Sequence, residues 1–518
     1  MDPRRFAAIA FGGMLAGCSL APAYRVPETA PAAPAYNEAP DWKAAAPADA
    51  TARGPWWTVF HDEPLAALEA QVADANQDLK AALARLEQAR ALTRAARSAY
   101  FPTVSAGANV TRARASLNSP RFAASKPGTV NDFVLNADVS YEVDLWGRLR
   151  NAVAAAKASE QASTGDLATL DLSLRSELAI DYFTLRSLDT QQALLERTVV
   201  DYADALKLTS NLYQGGAGVI ADVRQAEAQL ETARTQAEDT RLRRAQTEHA
   251  IATLVGRAAT GFHIEPTALP LNVEPPAIDP GLPSTLLERR PDVAAAERRV
   301  AAANAQIGVA RAAYFPVFTF SATAGFESVA GSNWIEAPSR LWAIGPSLLQ
   351  TVFDGGLRRA QSDFARAAYD QQVAQYRGTV LSAYQEVEDA LAALRRLANE
   401  NTSEQAAVIA TQGALQQAEY RYKGGAATYL EVVSTENAAL AARLSATDIQ
   451  LRRMTAAVLL VKALGGGWSA AGSDTVATAS TARATSGAPE STAPLDLEFC
   501  DSCIEIARIW SLTGVYQE

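Results

Sequence analysis

Asp144-Leu-Trp-Gly147 and Tyr213-Gln-Gly-Gly-Ala217 bracket 65 residues, 148 to 212, of uninterrupted helix-compatible sequence. The run between them holds no Pro and one internal Gly, Gly165, so no residue in it stops a helix. At ~1.5 Å per residue it is a rod of roughly 100 Å, whereas helices of globular domains average ~10–14 residues. The stretch also occurs twice. Glu177-Leu-x6-Leu185-Arg186 is matched by Glu386-Val-x6-Leu394-Arg395, and Tyr213-x-Gly-Gly-Ala217 by Tyr422-x-Gly-Gly-Ala426, at one spacing of 209 residues (177 to 386, 213 to 422). A constant offset over this much helix is an internal duplication.

Residues 56–255 form the first repeat and 283–467 the second, with a connector at 256–282 that carries five Pro. A duplicated rod makes the length of 518 residues a poor guide to domain count. Hydrophobic residues at 48% and charged residues at 20% suit a packed chain. The net charge of -10 argues against a nucleic-acid partner, whose phosphates demand a basic face. After the N-terminus there is no run of ~18 apolar residues, hence no expected transmembrane helix.

The N-terminus carries an address. Arg4-Arg5 precede the apolar run Phe6 to Met14, then Leu15-Ala16-Gly17-Cys18. A basic start, a short apolar core and small residues form a secretory signal, so 1–17 are excluded from the fold. A lone buried Cys is the competing reading of Cys18. The stretch resembles a bacterial lipobox, which implies cleavage before Cys18 and lipid on its thiol. Ser19, rather than Asp, implies release to the outer membrane. Residues 18–55, rich in Pro and Ala, read as an extended tether from that anchor.

Each repeat then follows one order. Leu65, Leu68, Val72, Ala75, Leu79, Leu83 and Leu86 recur at helical spacing up to Ala99, before Tyr100-Phe101-Pro102 ends the helix. In the second repeat Arg289-Arg290-Pro291-Asp292 opens a helix that ends at Ala313-Tyr314-Phe315-Pro316. The period then changes to two. Val104, Ala106, Ala108 and Val110, then Phe133, Leu135, Ala137, Val139 and Tyr141, alternate with polar residues, and Phe318 to Phe326 and Trp342 to Leu348 repeat the pattern. Apolar-out, polar-in segments of roughly ten residues fit a membrane barrel, although a soluble hairpin with one buried face alternates in the same way.

Each rod is followed by a returning helix with apolar residues three and four apart. These are Val223, Ala226, Leu230, Ala233 and Ala237 in one repeat, and Leu430, Val433, Asn437, Leu440, Leu444, Leu451, Met454 and Val458 in the other. Such spacing specifies helices wound as coiled coils. Tyr213 with Gly215 and Gly216, and Tyr422 with Gly424 and Gly425, are the turns that join rod to returning helix. The expected fold is therefore mainly α with a membrane β-barrel. Duplicated long helical hairpins stand beside four transmembrane strands per chain. Four strands cannot close a barrel whose smallest single-chain form has about eight, and open edges cannot sit in lipid. Several copies must share one barrel, and a water-lined barrel continued by a helical tube is a conduit. The tail at 468–518 is Ser/Thr/Ala-rich and reads as disordered. Cys500-Asp-Ser-Cys503 suits a disulfide or two metal ligands, an incomplete site without further donors.

Leu15-Ala-Gly-Cys18-Ser-Leu-Ala-Pro-x-Tyr24, Glu142-Val-Asp-Leu-Trp-Gly-Arg148, Asp222-Val-Arg-Gln-Ala-Glu-Ala-Gln-Leu230, Arg289-Arg-Pro-Asp-Val293 and Ala313-Tyr-Phe-Pro316, with the Tyr-x-Gly-Gly-Ala turns, resemble the outer-membrane factors of tripartite efflux systems. The likeness is to the TolC/OprM type, most of all to NodT-like lipoproteins, over about residues 15–467. It implies a homotrimer, with a twelve-stranded barrel and a twelve-helix periplasmic tunnel, in contact with outer-membrane lipid, a periplasmic adaptor (membrane fusion protein) and an inner-membrane pump. It implies no cofactor beyond the lipid on Cys18 and no enzymatic activity. It also implies a periplasmic gate at which Asp222 and Tyr422 link neighbouring chains. Leu430 and Glu431 narrow the tip, while Ser434 and Asn437 stand where the family's usual Asp and Arg would be. Two functions stay open beside efflux: a periplasm-spanning coiled-coil spacer, and a channel for type I protein secretion. Against an enzyme, the three His, at 61, 249 and 263, are scattered, and Cys is confined to the two ends.

Overall fold

The structure is a computed structural model that describes residues 19–29, 36–38, 55–114, 116, 128–271, 273–278 and 289–466. Cys18, most of the expected tether and the expected tail with Cys500 and Cys503 lie outside the described residues. In chain order the elements are α1 (Glu63–Ala75), α2 (Gln77–Ser98), β1 (Thr103–Arg114), β2 (Thr129–Glu142), α3 (Arg148–Gln214) and α4 (Ile220–Leu254). The second repeat gives α5 (Pro291–Ala312), β3 (Val317–Ser328), β4 (Arg340–Leu349), α6 (Leu357–Lys423) and α7 (Tyr429–Ala463). The duplication is exact in length, since α3 and α6 each have 67 residues and α4 and α7 each have 35.

One expected helix is two. The 65–99 pattern breaks at Asn76, whose backbone is extended and whose side chain caps α2 by accepting from Leu79 N (3.0 Å). Asn76 Nδ2 also donates to Leu254 O (2.8 Å), so the end of α4 buttresses the break. Gly256 completes it, because a Cβ there would lie 2.4 Å from Ala75 O.

The core sits where the helices of both repeats cross. Leu65 and Val72 of α1, Leu178, Tyr182 and Leu185 of α3, Ile251 of α4 and Val458 of α7 are fully buried together. Each such side chain contributes roughly 1.5–3 kcal/mol. Small residues bring α3 and α5 close. A Cβ on Gly165 would lie 2.7 Å from Pro291 O and 2.9 Å from Ala295 Cβ, and one on Gly308 would meet Asn151 Nδ2 at 2.4 Å.

The repeated arginines fasten connecting chain to this core. Arg244 on α4 bonds Asp189 (2.6 Å), Glu248 (3.2 Å) and Ile264 O (2.7 Å), and Arg186 on α3 bonds Thr267 O (2.7 Å). Their counterparts at the 209-residue offset, Arg453 and Arg395, pair with Glu274 and Glu38. The described part of the expected tether is likewise held. Ser19 bonds Asn151, Asn304 bonds Pro22 O (2.9 Å), Tyr24 bonds Glu297, Arg377 bonds Glu28 O (3.0 Å), and Glu388 accepts from Asn37 N (2.8 Å) and Glu38 N (3.1 Å). These residues form a strap over α5 and α6 rather than a free linker.

The strands form one antiparallel sheet in the order β1-β2-β3-β4, and β1 and β4 have no further strand partner among the described residues. Its register carries the alternation across all four strands. Val104 stands opposite Val139, Val139 opposite Ala322 and Ala322 opposite Ile344, and the next row is Ala106, Ala137, Ala324 and Trp342. Residues directly opposite share a face, so these rows make one face apolar from Val104 to Val110 on β1 and from Phe133 to Tyr141 on β2. The other carries Ser105, Asp138 and Thr323, where Thr323 Oγ1 donates to Asp138 Oδ1 (2.6 Å). No helix among the described residues is long and apolar enough to cross a membrane.

Candidate functional site

The hairpin tips, where α3 turns into α4 and α6 into α7, gather the residues singled out by sequence. Both rods end alike. Ala217 N donates to Leu212 O (2.8 Å) and Gly216 N to Tyr213 O (3.1 Å), and 209 residues later Ala426 N donates to Arg421 O (2.8 Å) and Gly425 N to Tyr422 O (3.0 Å). These bonds satisfy carbonyls that a helix end leaves open. Only the second Gly of each pair needs glycine's backbone freedom, since Gly216 and Gly425 hold φ of 75° and 70° while Gly215 and Gly424 hold -79° and -83°.

Tyr213 is exposed, whereas Tyr422 is half-buried with its ring 5.7 Å from that of Tyr429. Tyr429 belongs to a cluster that joins both hairpins, with Ala226 of α4, Ala418 of α6, and Val432 and Val433 of α7, flanked by Leu206 of α3. Asp222, in the first turn of α4, sits where a helix N-terminus favours an anion. It lies close enough to Tyr422 within one chain to reinforce the rise in that phenol's pKa that burial causes. No hydrogen bond joins the two among the described residues.

Glu431 opens α7 at the position equivalent to Asp222, but its carboxylate is paired with Arg421, which also donates to Ala426 O (3.3 Å). Leu430, expected in the coiled-coil seam, is 65% exposed, and Ser434 and Asn437 are also exposed. Val433, Met454 and Val458 of the expected row are buried, but Tyr429, Val432, Ala439 and Ala442 take the buried places beside them that this row assigns to Leu430, Asn437 and Leu440. Leu430, Ser434 and Asn437, at spacings of four and three, thus share a face that does not enter the chain's own core. Tyr202 Oη on α3 reaches Asn437 Oδ1 (3.3 Å) across the hairpins.

Sequence reasoning missed Glu436. It lies three to four residues beyond Val432 and Val433, on the buried face, and that spacing was the available signal. Its Oε2 is buried without a hydrogen-bond partner among the described residues. Burial first, then the carboxylates of Glu419 and Asp201, push it up to about 7. It also missed the Arg421–Glu431 pair, which the repeat flags because the residue 209 positions before Arg421 is Leu212. No group of three or more His, Cys, Asp or Glu among the described residues is placed to hold a metal.

With this geometry in place, comparison with known proteins gives concordant matches. A family model described as outer membrane efflux protein matches residues 69–257 and 282–466. The chain is 33% identical over 476 residues to the probable efflux pump outer membrane protein SepC of Pseudomonas putida, covering 89% of this chain and 97% of that one. Among solved structures it is similar to the outer-membrane channel OprN, at 30% identity and a TM-score of 0.80, covering 87% of this chain and all of that one. It is also similar to the CmeC outer membrane channel of Campylobacter jejuni, at 25% identity and a TM-score of 0.84, covering 89% and 98%.

Proposed function

The chain belongs to the outer membrane efflux protein family, and from that premise we propose that three copies close one barrel and one periplasmic tunnel, gated at the hairpin tips. The protein is an outer-membrane efflux channel component. The observation that carries the closure is the open sheet: β1 and β4 each present an edge with no strand partner among the described residues, which hydrocarbon does not tolerate. Joining β4 of one copy to β1 of the next removes every edge.

In this reading Cys18 carries the lipid anchor. A periplasmic adaptor and an inner-membrane pump deliver small molecules to the tunnel, and transport involves no catalytic step. Asp222 and Tyr422 form the lock, and Leu430, Glu431 and Ser434 line the narrowing. The turns at Tyr213, Gly215 and Gly216, and at Gly424 and Gly425, hold the hairpin ends in shape. The first repeat spans 56–255 and the second 283–467. The particle mass of the detergent-extracted protein tests the closure, with three chains expected and one chain contradicting it. Single-channel conductance in a planar bilayer separates a conduit from a spacer, and loss of lipid labelling in Cys18→Ser tests the anchor.

A further inference from the structure

The charges of the four strands are sorted by face. Asp132, Asp138 and Glu142 of β2 and Glu327 of β3 all fall on the polar face, whereas Arg112 and Arg114 of β1 and Arg340 of β4 all fall on the apolar face. The register requires this, because Arg112 stands opposite Asn131, Arg114 opposite Thr129, and Arg340 opposite Phe326. The three arginines also sit at one end. Arg114 is the last residue of β1 and Arg340 the first of β4, both at the end away from the long helices. All three are exposed, and none has an ion-pair or side-chain hydrogen-bond partner among the described residues.

The two strands that carry them are the sheet's edge strands. Joined edge to edge, β1 of one copy lies beside β4 of the next at ~4.8 Å, so Arg112 and Arg114 meet Arg340 of the adjacent copy at the outer rim. Along the hydrogen-bonded row Arg340 aligns with Leu135 and Ala108, below Arg114. Tilted strands impose this slant on a barrel and bring the strand ends level. Trp342, two residues deeper on the same face and 76% exposed, stands at the depth of an interfacial aromatic. Unpaired guanidinium groups at a lipid-facing rim require anions, and planar donors in pairs match phosphate oxygens.

We propose that each seam between copies binds a phosphorylated glycolipid of the outer leaflet, its phosphates held by Arg112 and Arg114 of one copy and Arg340 of the next. This rests on the shared barrel proposed above. The acyl chains of that lipid lie along the apolar rows of β1 and β4, and its headgroup sits over the arginines.

The probes are bisphosphorylated lipid A and phosphatidylglycerol, added to the full-length detergent-solubilised channel, with bound lipid counted by native mass spectrometry. The expected result is retention of lipid A, up to three molecules per particle, over phosphatidylglycerol. Arg112→Gln/Arg114→Gln/Arg340→Gln is expected to lose that retention by about tenfold or more. Arg340→Gln alone is expected to lose most of it, because both edges grip one lipid. Equal retention of the two lipids by the unaltered protein overturns the proposal, even if the triple variant does not assemble. Unchanged lipid A binding in an assembled triple variant also overturns it. A single-chain mass for the unaltered protein contradicts the shared barrel instead, so the two failures are distinct.

Discussion

Arg421 is paired with Glu431 across the turn that joins α6 to α7, so the carboxylate expected to line the narrowing already has a cation of its own. An exposed pair of this kind contributes about 0.2–1 kcal/mol, enough to lower the charge seen by a passing ion without immobilising it. In the proposed trimer, three copies of Glu431 around one axis would repel one another and attract cations only as far as Arg421 leaves them unscreened.

Channel block by divalent cations is therefore expected to be weak in the unaltered protein and to strengthen several-fold in Arg421→Ala. Adding Glu431→Gln to that variant is expected to abolish the gain. Block that does not respond to Arg421→Ala, measured as current in a planar bilayer, removes this pair from the narrowing.

The lock is tested by removing one hydroxyl. Tyr422→Phe keeps the ring contact with Tyr429 at 5.7 Å and deletes only the hydroxyl that feels the charge of Asp222. Paired with Asp222→Ala it is expected to raise single-channel conductance, and each single variant is expected to achieve most of that rise because the two groups act as one link. Conductance unchanged in the double variant rules out the lock.

Glu436 makes hairpin packing depend on pH. It is faced by Asp201 and Tyr202 from α3, by Glu419 from α6 and by Tyr429 on its own helix, and of these Glu419 is paired with Lys423 (3.7 Å). Its packed-state pKa of about 7 lies above its ordinary 4.5. The packed state therefore holds a proton that the separated state releases, and packing weakens as pH rises from 4.5 to 7, with no further loss above. Glu69, raised to about 8, and Asp181, raised to about 6, act in the same direction through burial. The informative quantity is thus a difference. The melting temperature of Glu436→Gln should fall less than that of the unaltered protein between pH 5 and 7, and parallel curves would remove Glu436 as the source.

The periodic parts of this architecture were readable in the sequence and the aperiodic parts were not. A 209-residue offset and a change of period from 3.6 to 2 are properties of local sequence, so rods, strands and turns follow from them. The break at Asn76 depends on Leu254 and Gly256, nearly 180 residues away, and no local pattern carries that. The strap is held largely through backbone carbonyls, as at Pro22 and Glu28, which every sequence supplies. Leu430 fits a three-four row as well as Tyr429 does, and only packing against Ala226 and Ala418 selects Tyr429 for the core. At the outer rim, the segregation of Arg112 and Arg340 from Asp138 and Glu327 depends on which residues stand opposite each other, and that register needs the paired sheet.

Gly165 is a place where the rod is sensitive to size. It is buried inside a helix, where Gly costs about 1 kcal/mol relative to Ala, and a small residue there suits the approach of α5. Any Cβ meets Pro291 O at 2.7 Å and Ala295 Cβ at 2.9 Å, and neither a backbone carbonyl nor a methyl on a helix can swing aside. Gly165→Ala gains helix propensity and loses packing, so its net effect is expected to be small. Gly165→Leu gains nearly the same propensity but adds far more bulk against Pro291 and Ala295, and should destabilise the chain by about 1–3 kcal/mol. Because α5 also carries Asn304 and Arg311, which hold the strap at Pro22 and Leu20, the same variant is expected to release the strap. Increased protease cleavage within residues 19–29 reports that release, and a Gly165→Leu protein with unaltered melting temperature and cleavage pattern shows that the α3–α5 approach is not what the small residue serves.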